Sequence, residues 1–139
     1  SGKAEGATVA TGGDRHGDKG YYIQPTIFTN VTEVMKICTE EIFGPVMSIL
    51  KFKSDWEVIQ RANNTIYGLA AGIVSKDAGR AIGIANQLRA GTVWINTYDQ
   101  FDTAAPFGGY KESGHGRDKG EEALDNWTET KCVWISVTE

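Results

Sequence analysis

The spacing of hydrophobic and polar residues becomes regular at about residue 45. Apolar runs at Val46 to Phe52, Leu69 to Ser75 and Thr92 to Asn96 predict three strands, the second without the alternation of a half-exposed strand. Between them, residues 54–63 and 78–88 carry apolar side chains at helical spacing. The order β-α-β-α-β predicts an α/β fold, with a parallel sheet and right-handed crossovers.

Local start and stop signals support both helices. Ser54-Asp55-Trp56-Glu57 has the spacing of a capping box, in which Ser54 accepts from the backbone of Glu57 while the Glu57 carboxylate reaches back. Asn63-Asn64 and Gly68 end the first helix, and Gly91 follows the second. The predicted helix boundaries therefore agree with the hydrophobic pattern.

The segments before residue 45 are less regular. Residues 1–20 are rich in glycine and polar residues, and Ala7 to Thr11 is a candidate short strand. Tyr21 to Phe28 is aromatic and β-branched but interrupted by Pro25, which predicts an edge strand or an extended segment. Glu33 to Thr39 favours a short helix.

The end of the chain changes character twice. Residues 97–119 predict a long loop rich in glycine and aromatic residues, and loops of this length are usually functional. A short helix at Gly120 to Asn126 leads to Thr128 to Val137, where polar and apolar residues alternate. Such a terminal strand needs a pairing partner.

Composition and charge exclude several classes of protein. The chain has 139 residues and a formal net charge of −4, without a Lys/Arg block, which argues against nucleic acid and anionic membranes as partners. No apolar run is long enough for a membrane span, and Ser1 to Ala10 contains no signal-peptide core. The absent initiator Met favours an internal start. Cys38 and Cys132 are too few for a disulfide framework, which favours a reducing compartment.

The stretch Glu40-Glu41-Ile42-Phe43-Gly44-Pro45 is the first candidate site. A carboxylate such as that of Glu41 accepts hydrogen bonds from two neighbouring hydroxyl groups, and the ring of Phe43 offers a flat apolar surface. A ribose and a planar base fit such a pair. The alternative is a solvated Glu41 and a core Phe43 at the entrance to a strand.

The loop after the third strand is the second candidate site. Ligands of open parallel sheets bind outside the carboxyl ends of the strands, which is where Asp99, Phe101 and Phe107 follow. The two phenylalanines can line an apolar channel; alternatively they anchor the loop to the core.

The segment Gly108 to Arg117 lacks both the Walker pattern and the dinucleotide glycine spacing. Its glycines are predicted to permit tight turns with positive φ. Lys111 is predicted to brace the loop and not to act in catalysis.

Other chemistry-bearing residues are isolated. Cys38 and Cys132 are interpreted as buried, inert thiols, and His16 and His115 indicate no metal site.

Several motifs, in order, resemble the C-terminal part of the NAD(P)-dependent aldehyde dehydrogenase superfamily, in particular its broad-specificity cytosolic and mitochondrial class. They are Gly20-Tyr21-Tyr22-Ile23-Gln24-Pro25-Thr26, Glu41-Ile42-Phe43-Gly44-Pro45, Asn64-x-x-Tyr67-Gly68-Leu69-Ala70, Gly91-Thr92-Val93-Trp94-Ile95-Asn96 and Pro106-Phe107-Gly108-Gly109. The resemblance runs from about Gly6 to Ile135. It implies the C-terminal part of a catalytic domain over residues 1–127 and an oligomerisation strand over 128–139.

The resemblance also implies residue roles. Glu41 would accept from the nicotinamide ribose hydroxyls, and Phe43 would pack beside the ribose and nicotinamide. Phe101 and Phe107 would wall the aldehyde tunnel, with Asp99 near its entrance. In the resembled enzymes a Cys thiolate attacks the aldehyde, hydride leaves to NAD and water releases the acid. That Cys and the general-base Glu lie upstream in the family, so the chain alone is expected to lack turnover.

The resemblance also implies a homodimer or homotetramer acting on a small aldehyde, in the cytoplasm or the mitochondrial matrix. Two other hypotheses remain open. One is a non-catalytic, crystallin-like member of the same fold, which the upstream sequence would reveal by a missing Cys. The other is a free-standing nucleotide-binding module, which calorimetry with NAD and ADP would test.

Overall fold

The computed structural model describes residues 1–137, and the chain divides into two compact units, Ser1–Arg61 and the chain from Ala62 onward. The first unit contains a three-stranded sheet of β1 (Thr8–Thr11), β2 (Thr26–Thr29) and β3 (Val46–Ser48), in the order β1-β2-β3. Strand β2 runs antiparallel to β1 and parallel to β3. The candidate short strand at Ala7 to Thr11 is therefore confirmed, one residue shorter than predicted.

A small core lies against the central strand. Ala7, Phe28, Val31 and Met35 form its buried cluster, next to the short helix α1 (Lys36–Thr39). This helix is shorter than the sequence predicts, since its first helical residue follows Met35 in extended backbone. The core fixes β2 in the middle of the sheet.

Of the two alternatives for Tyr21 to Phe28, the edge strand is wrong for its last three residues, which belong to the central strand β2, while residues 21–25 lie outside any strand. Pro25 comes one residue before β2, so its missing N–H removes no bond from the ladder. Thr26 begins the strand, and its N–H donates to the Pro45 carbonyl at 2.9 Å. A proline at this boundary is compatible with a central strand.

Helix α2 (Asp55–Asn63) begins at the predicted capping box. The Glu57 N–H donates to Ser54 Oγ at 3.2 Å, while the Glu57 carboxylate accepts from the Lys53 N–H at 2.8 Å. The acceptor thus reaches one residue further back than in the standard box. Arg61 adds ion pairs to Glu57 and Glu33.

The second unit contains one β-α-β element. Strands β4 (Ala70–Ile73) and β5 (Thr92–Ile95) pair in parallel, and helix α3 (Ala78–Ala85) connects them. Asp77 caps α3, because its carboxylate accepts from the Arg80 N–H at 2.9 Å. Two 3₁₀ segments follow, Lys111–Ser113 with three residues and Glu121–Asn126 with six.

The α/β class and its parallel pairing are confirmed, but the grouping of strands differs from the prediction. Strand β3 pairs with β2, and β4 pairs with β5, whereas the sequence pattern joins β3, β4 and β5 in one sheet. Hydrophobic spacing identifies strands without identifying their neighbours, which depend on contacts distant in sequence.

Residues 128–137 form no strand within the described chain. The side chains of Val133, Trp134, Ile135 and Val137 are 69–93% exposed. A strand is defined by its partner, so the oligomerisation strand over 128–139 stays a prediction, and its last two residues lie outside the described part. Among residues 1–137, no helix is both long and apolar enough to cross a bilayer.

Candidate functional site

Phe43 lies in the loop between α1 and β3, in a conformation that is unusual for an aromatic residue. Its φ is +51°, in the left-handed region, and its side chain is 92% exposed. This backbone conformation costs a non-glycine residue about 1 kcal/mol or more. The exposed ring does not recover that cost by packing into the hydrophobic core of its unit. The alternative of a core phenylalanine is therefore wrong for the unit as described. Strained, exposed aromatic residues are typical of ligand sites.

The two carboxylates of this loop have different partners. Glu40 forms an ion pair with Lys36 at 3.4 Å. Glu41 is exposed, and within residues 1–137 its carboxylate has neither a hydrogen bond nor an ion pair. Glu41 therefore keeps its acceptor capacity for a ligand, whereas Glu40 stabilises the end of α1.

The first sheet holds the far end of this loop. The Pro45 carbonyl accepts from Thr26, at the start of β2, and the Val46 N–H donates to the Gly44 carbonyl at 2.7 Å. The chain is thus fixed two residues after Phe43. The ring and the Glu41 carboxylate are carried on an anchored segment, which lowers the entropy lost when a ligand binds.

The second candidate site is a line of four aromatic rings at the end of β5. Ring centroids are 4.9 Å apart for Tyr98 and Trp94, and 5.6 Å for Trp94 and Phe101. Phe101 and Phe107 meet edge to face at 5.1 Å. Such geometry is favourable for aromatic pairs. The structure therefore brings the two predicted phenylalanines into direct contact.

Phe101 is only half buried, at 49% exposure, and the Lys119 ammonium lies 4.6 Å from its ring centroid. Asp99 is exposed and has a φ of +58°. The cluster thus presents a half-exposed apolar ring with an ammonium group close to it. Ligand sites commonly combine an apolar surface with a nearby polar or charged group.

Backbone hydrogen bonds hold the loop in this shape. The Phe107 N–H donates to the Asp118 carbonyl at 2.7 Å, and the Asp118 N–H returns a bond to Phe107 at 2.8 Å. The Gly120 N–H donates to the Thr103 carbonyl at 3.0 Å. Phe107 therefore anchors the loop, which is one of its two interpretations, while the lining of an apolar channel stays a prediction.

The sequence prediction missed Trp94 and Lys119 as members of this cluster. Trp94 is buried, at 8% exposure, in the predicted third strand. The tryptophan within an otherwise β-branched strand is the one signal that pointed to a special role. Nothing in the local pattern around Lys119 indicated its contact with Phe101.

The glycines of the 108–117 segment serve two different purposes. Gly114 and Gly116 have positive φ, as predicted. Gly108 and Gly109 do not: a Cβ on Gly109 would lie 2.5 Å from the Ser113 Cβ, and one on Gly108 2.6 Å from the Gly116 carbonyl oxygen. The prediction of positive φ is therefore wrong for Gly108 and Gly109. These two positions require glycine because neighbouring atoms leave no room for a Cβ.

The cysteines also depart from the prediction. Cys38 is half-buried, but Cys132 is exposed, because its segment has no partner within the described chain. Among residues 1–137, no three His, Cys, Asp or Glu side chains are close enough together to hold a metal ion.

Comparison with known proteins identifies the family. The family model described as "Aldehyde dehydrogenase family" matches residues 1–133. An aldehyde dehydrogenase of Alternaria alternata is 60% identical over 136 residues, which cover 98% of this chain and 27% of that protein. The cytosolic aldehyde dehydrogenase 1 of Rattus norvegicus is 54% identical over 139 residues, which cover 100% of this chain and 28% of that protein.

Solved structures agree. The NAD⁺ complex of the Bacillus cereus aldehyde dehydrogenase superposes with a TM-score of 0.93 at 57% identity, covering 99% of this chain and 28% of that one. This chain, with its parallel β-α-β element and these two loops, belongs to the aldehyde dehydrogenase family. The chain spans only 27–28% of the length of these relatives.

Proposed function

We propose that this chain supplies one wall of the cofactor site and one wall of the substrate channel in an NAD(P)-dependent aldehyde dehydrogenase that oxidises aldehydes to carboxylic acids. The observation that carries the proposal is the exposed ring of Phe43 at positive φ, two residues after the carboxylate of Glu41, which has no partner among residues 1–137. The nucleophilic Cys and the general-base Glu would come from polypeptide outside this chain.

The residues present fit a dinucleotide. The Glu41 carboxylate is free to accept from both hydroxyls of a ribose, since the neighbouring carboxylate of Glu40 is the one engaged with Lys36. The ring of Phe43 is free to pack against the ribose and nicotinamide. When bound, the nicotinamide supplies the acceptor for a hydride. We favour NAD, since the Bacillus cereus and Pseudomonas syringae relatives are described as NAD⁺ complexes.

The substrate end rests on Asp99, Phe101 and Phe107. The contact between the two phenylalanine rings, with one face of the pair half exposed, suits the apolar chain of a small aldehyde. Asp99 would lie at the polar rim of the channel. The exposed position of this carboxylate supports that role.

The intact protein is proposed to be a cytoplasmic homodimer or homotetramer, in which residues 128–139 pair with a neighbouring subunit. The name of the rat relative, a cytosolic enzyme, supports the compartment. The exposed apolar side chains of residues 133–137 support the pairing.

The test uses the intact protein with Glu41→Gln and Phe43→Ala, and with Glu40→Gln as a matched control one residue away. Single-turnover NADH formation is expected to slow by about tenfold or more in the first two variants, because the nicotinamide is no longer held in position to accept the hydride. Glu40→Gln is expected to stay within about twofold of the parent. Unchanged hydride transfer in Glu41→Gln and Phe43→Ala would refute the cofactor assignment.

The substrate assignment has its own test. Phe101→Ala and Phe107→Ala are expected to raise the KM for aldehydes of medium chain length by about tenfold, because each removes apolar contact with the substrate. The dissociation constant for NAD should not move. An unchanged KM in both variants would remove these residues from the channel.

A further inference from the structure

The segment Tyr110–Ser113 is bonded to residues 63–68, which run from the last residue of α2 towards β4; we call this contact the clasp. The Tyr110 N–H donates to the Gly68 carbonyl at 2.8 Å, and the Gly68 N–H donates to Ser113 Oγ at 3.0 Å. The Glu112 N–H donates to the Ile66 carbonyl at 3.0 Å. Three neighbouring residues thus bond to a segment more than forty positions away in sequence.

Lys111 completes the clasp through its side chain. Its Nζ donates to the Asn63 carbonyl at 2.8 Å and to the Thr65 carbonyl at 2.9 Å. Asn63 is the last residue of α2, so the ammonium group lies at the negative end of the helix dipole and satisfies carbonyls that the helix leaves unpaired. Bonds from a charged donor to such carbonyls are stronger than neutral ones.

The backbone of Lys111 is strained as well. Its φ is +53°, which a long side chain adopts only where its surroundings impose it. The contact is also close: a Cβ on Gly68 would lie 2.9 Å from the Tyr110 Cβ. The clasp therefore has one tight arrangement, without room for a slipped one.

The clasp ends the loop that carries the substrate-side aromatic residues. The loop leaves β5 at Ile95 and reaches the clasp at Tyr110, three residues after Phe107. At its start, the Trp94 indole N–H holds the Gln100 carbonyl at 2.9 Å. The paired rings of Phe101 and Phe107 are thus carried between two fixed points.

We propose that Lys111 is a positioning residue for the aldehyde channel: its ammonium group, bound to the end of α2, sets where Phe101 and Phe107 stand. This inference rests on the proposed function of those two phenylalanines. Lys111 is not a catalytic residue, because its ammonium group is engaged by two backbone carbonyls, those of Asn63 and Thr65.

The test compares three variants of the intact protein. Lys111→Met keeps the length of the side chain and removes the ammonium, while Lys111→Arg keeps a positive charge. Lys76→Met is the matched control in the same unit, since Lys76 is exposed and makes none of these bonds. The readouts are the KM and kcat for a series of aldehydes of increasing length, and the dissociation constant for NAD.

Lys111→Met is expected to lower kcat/KM for medium-length aldehydes by about tenfold, mainly through KM, because the channel wall is displaced. The ratio of kcat/KM for medium to that for short aldehydes should move towards one. The dissociation constant for NAD should stay within about twofold of the parent value. Lys111→Arg should recover most of the loss. Ser113→Ala, which removes the bond to Gly68, should act in the same direction and carries the test if Lys111→Met does not fold.

Hydrogen exchange separates the possible failures. Faster amide exchange over residues 99–113 in Lys111→Met, together with unchanged aldehyde selectivity, would overturn the positioning role. Unchanged exchange would show that the clasp does not depend on Lys111, which also overturns it. If Phe101→Ala leaves selectivity unchanged, the proposed channel itself is wrong, whatever exchange shows for the clasp.

Discussion

The indole N–H of Trp94 donates to the carbonyl oxygen of Gln100 at 2.9 Å, and this bond joins the end of a parallel strand to the loop of exposed aromatic rings. The same indole contacts the rings of Tyr98 and Phe101. One buried side chain therefore combines a hydrogen bond with two aromatic contacts. A buried tryptophan with its N–H satisfied is well suited to fix a loop that must stay in place.

Replacing Trp94 with Phe keeps an aromatic ring and removes the donor. We expect the free energy of unfolding to fall by about 2 kcal/mol, from the lost bond to Gln100 and the space left by the smaller ring. Denaturant unfolding of the intact protein measures this change. Trp56→Phe is the control, because Trp56 is 73% exposed, and should change stability by less than about 0.5 kcal/mol. Equal effects of the two changes would contradict the anchoring role of Trp94.

Two glycines of the second unit give opposite predictions for the same substitution. A Cβ at Gly91 would overlap the Gly108 carbonyl oxygen, whereas a Cβ at Gly83 would meet nothing within 4 Å among residues 1–137. Gly91→Ala is expected to destabilise by about 3 kcal/mol or more, because backbone must move. Gly83→Ala, inside α3, is expected to stabilise by about 0.5–1 kcal/mol.

Thermal unfolding of the two variants, measured side by side, checks this pair. The sign of the difference is the decisive quantity, since both changes add one methyl group. A stable Gly91→Ala protein would mean that Gly108 does not pack against Gly91, the residue before β5, as the structure has it.

The sequence allowed the prediction of elements whose signals are local. The capping box at Ser54 and the apolar runs of β4 and β5 depend on neighbouring residues, and they lie within a few positions of where they were expected. The predicted partner of β3 is wrong. Strand β3 pairs with β2, which precedes Gly44-Pro45 in the chain, and hydrophobic spacing does not identify which strands pair.

The same division holds at the site. The sequence motifs indicate Glu41, Phe43, Phe101 and Phe107. They predict neither the positive φ of Phe43 nor the two acceptors of Lys111. Both features come from how distant segments meet. For Lys111, the acceptors are backbone carbonyls 48 and 46 residues away, and these leave no trace in side-chain patterns.

The capping box gives a third prediction. Ser54→Ala removes the acceptor of the Glu57 N–H and is expected to cost about 1 kcal/mol of stability. Ser54→Asp keeps an acceptor and places negative charge at the start of α2, so it should remain close to the parent. Denaturant unfolding measures both. A loss as large in Ser54→Asp as in Ser54→Ala would mean that the hydroxyl acts through some other contact.

The fourth prediction concerns the exposed tail. Val133, Ile135 and Val137 lie at every second position and would share one face of an extended strand. They are 69%, 80% and 86% exposed, which is costly for apolar side chains unless another surface covers them. If they pair with a second subunit, Ile135→Pro should block the pairing, because proline offers no N–H to a ladder. Ile135→Val keeps the donor and the β-branched shape. We expect light scattering after size exclusion to give a smaller mass for Ile135→Pro, and for deletion of 128–139, than for Ile135→Val. The same oligomer in all three proteins would place the subunit contact elsewhere.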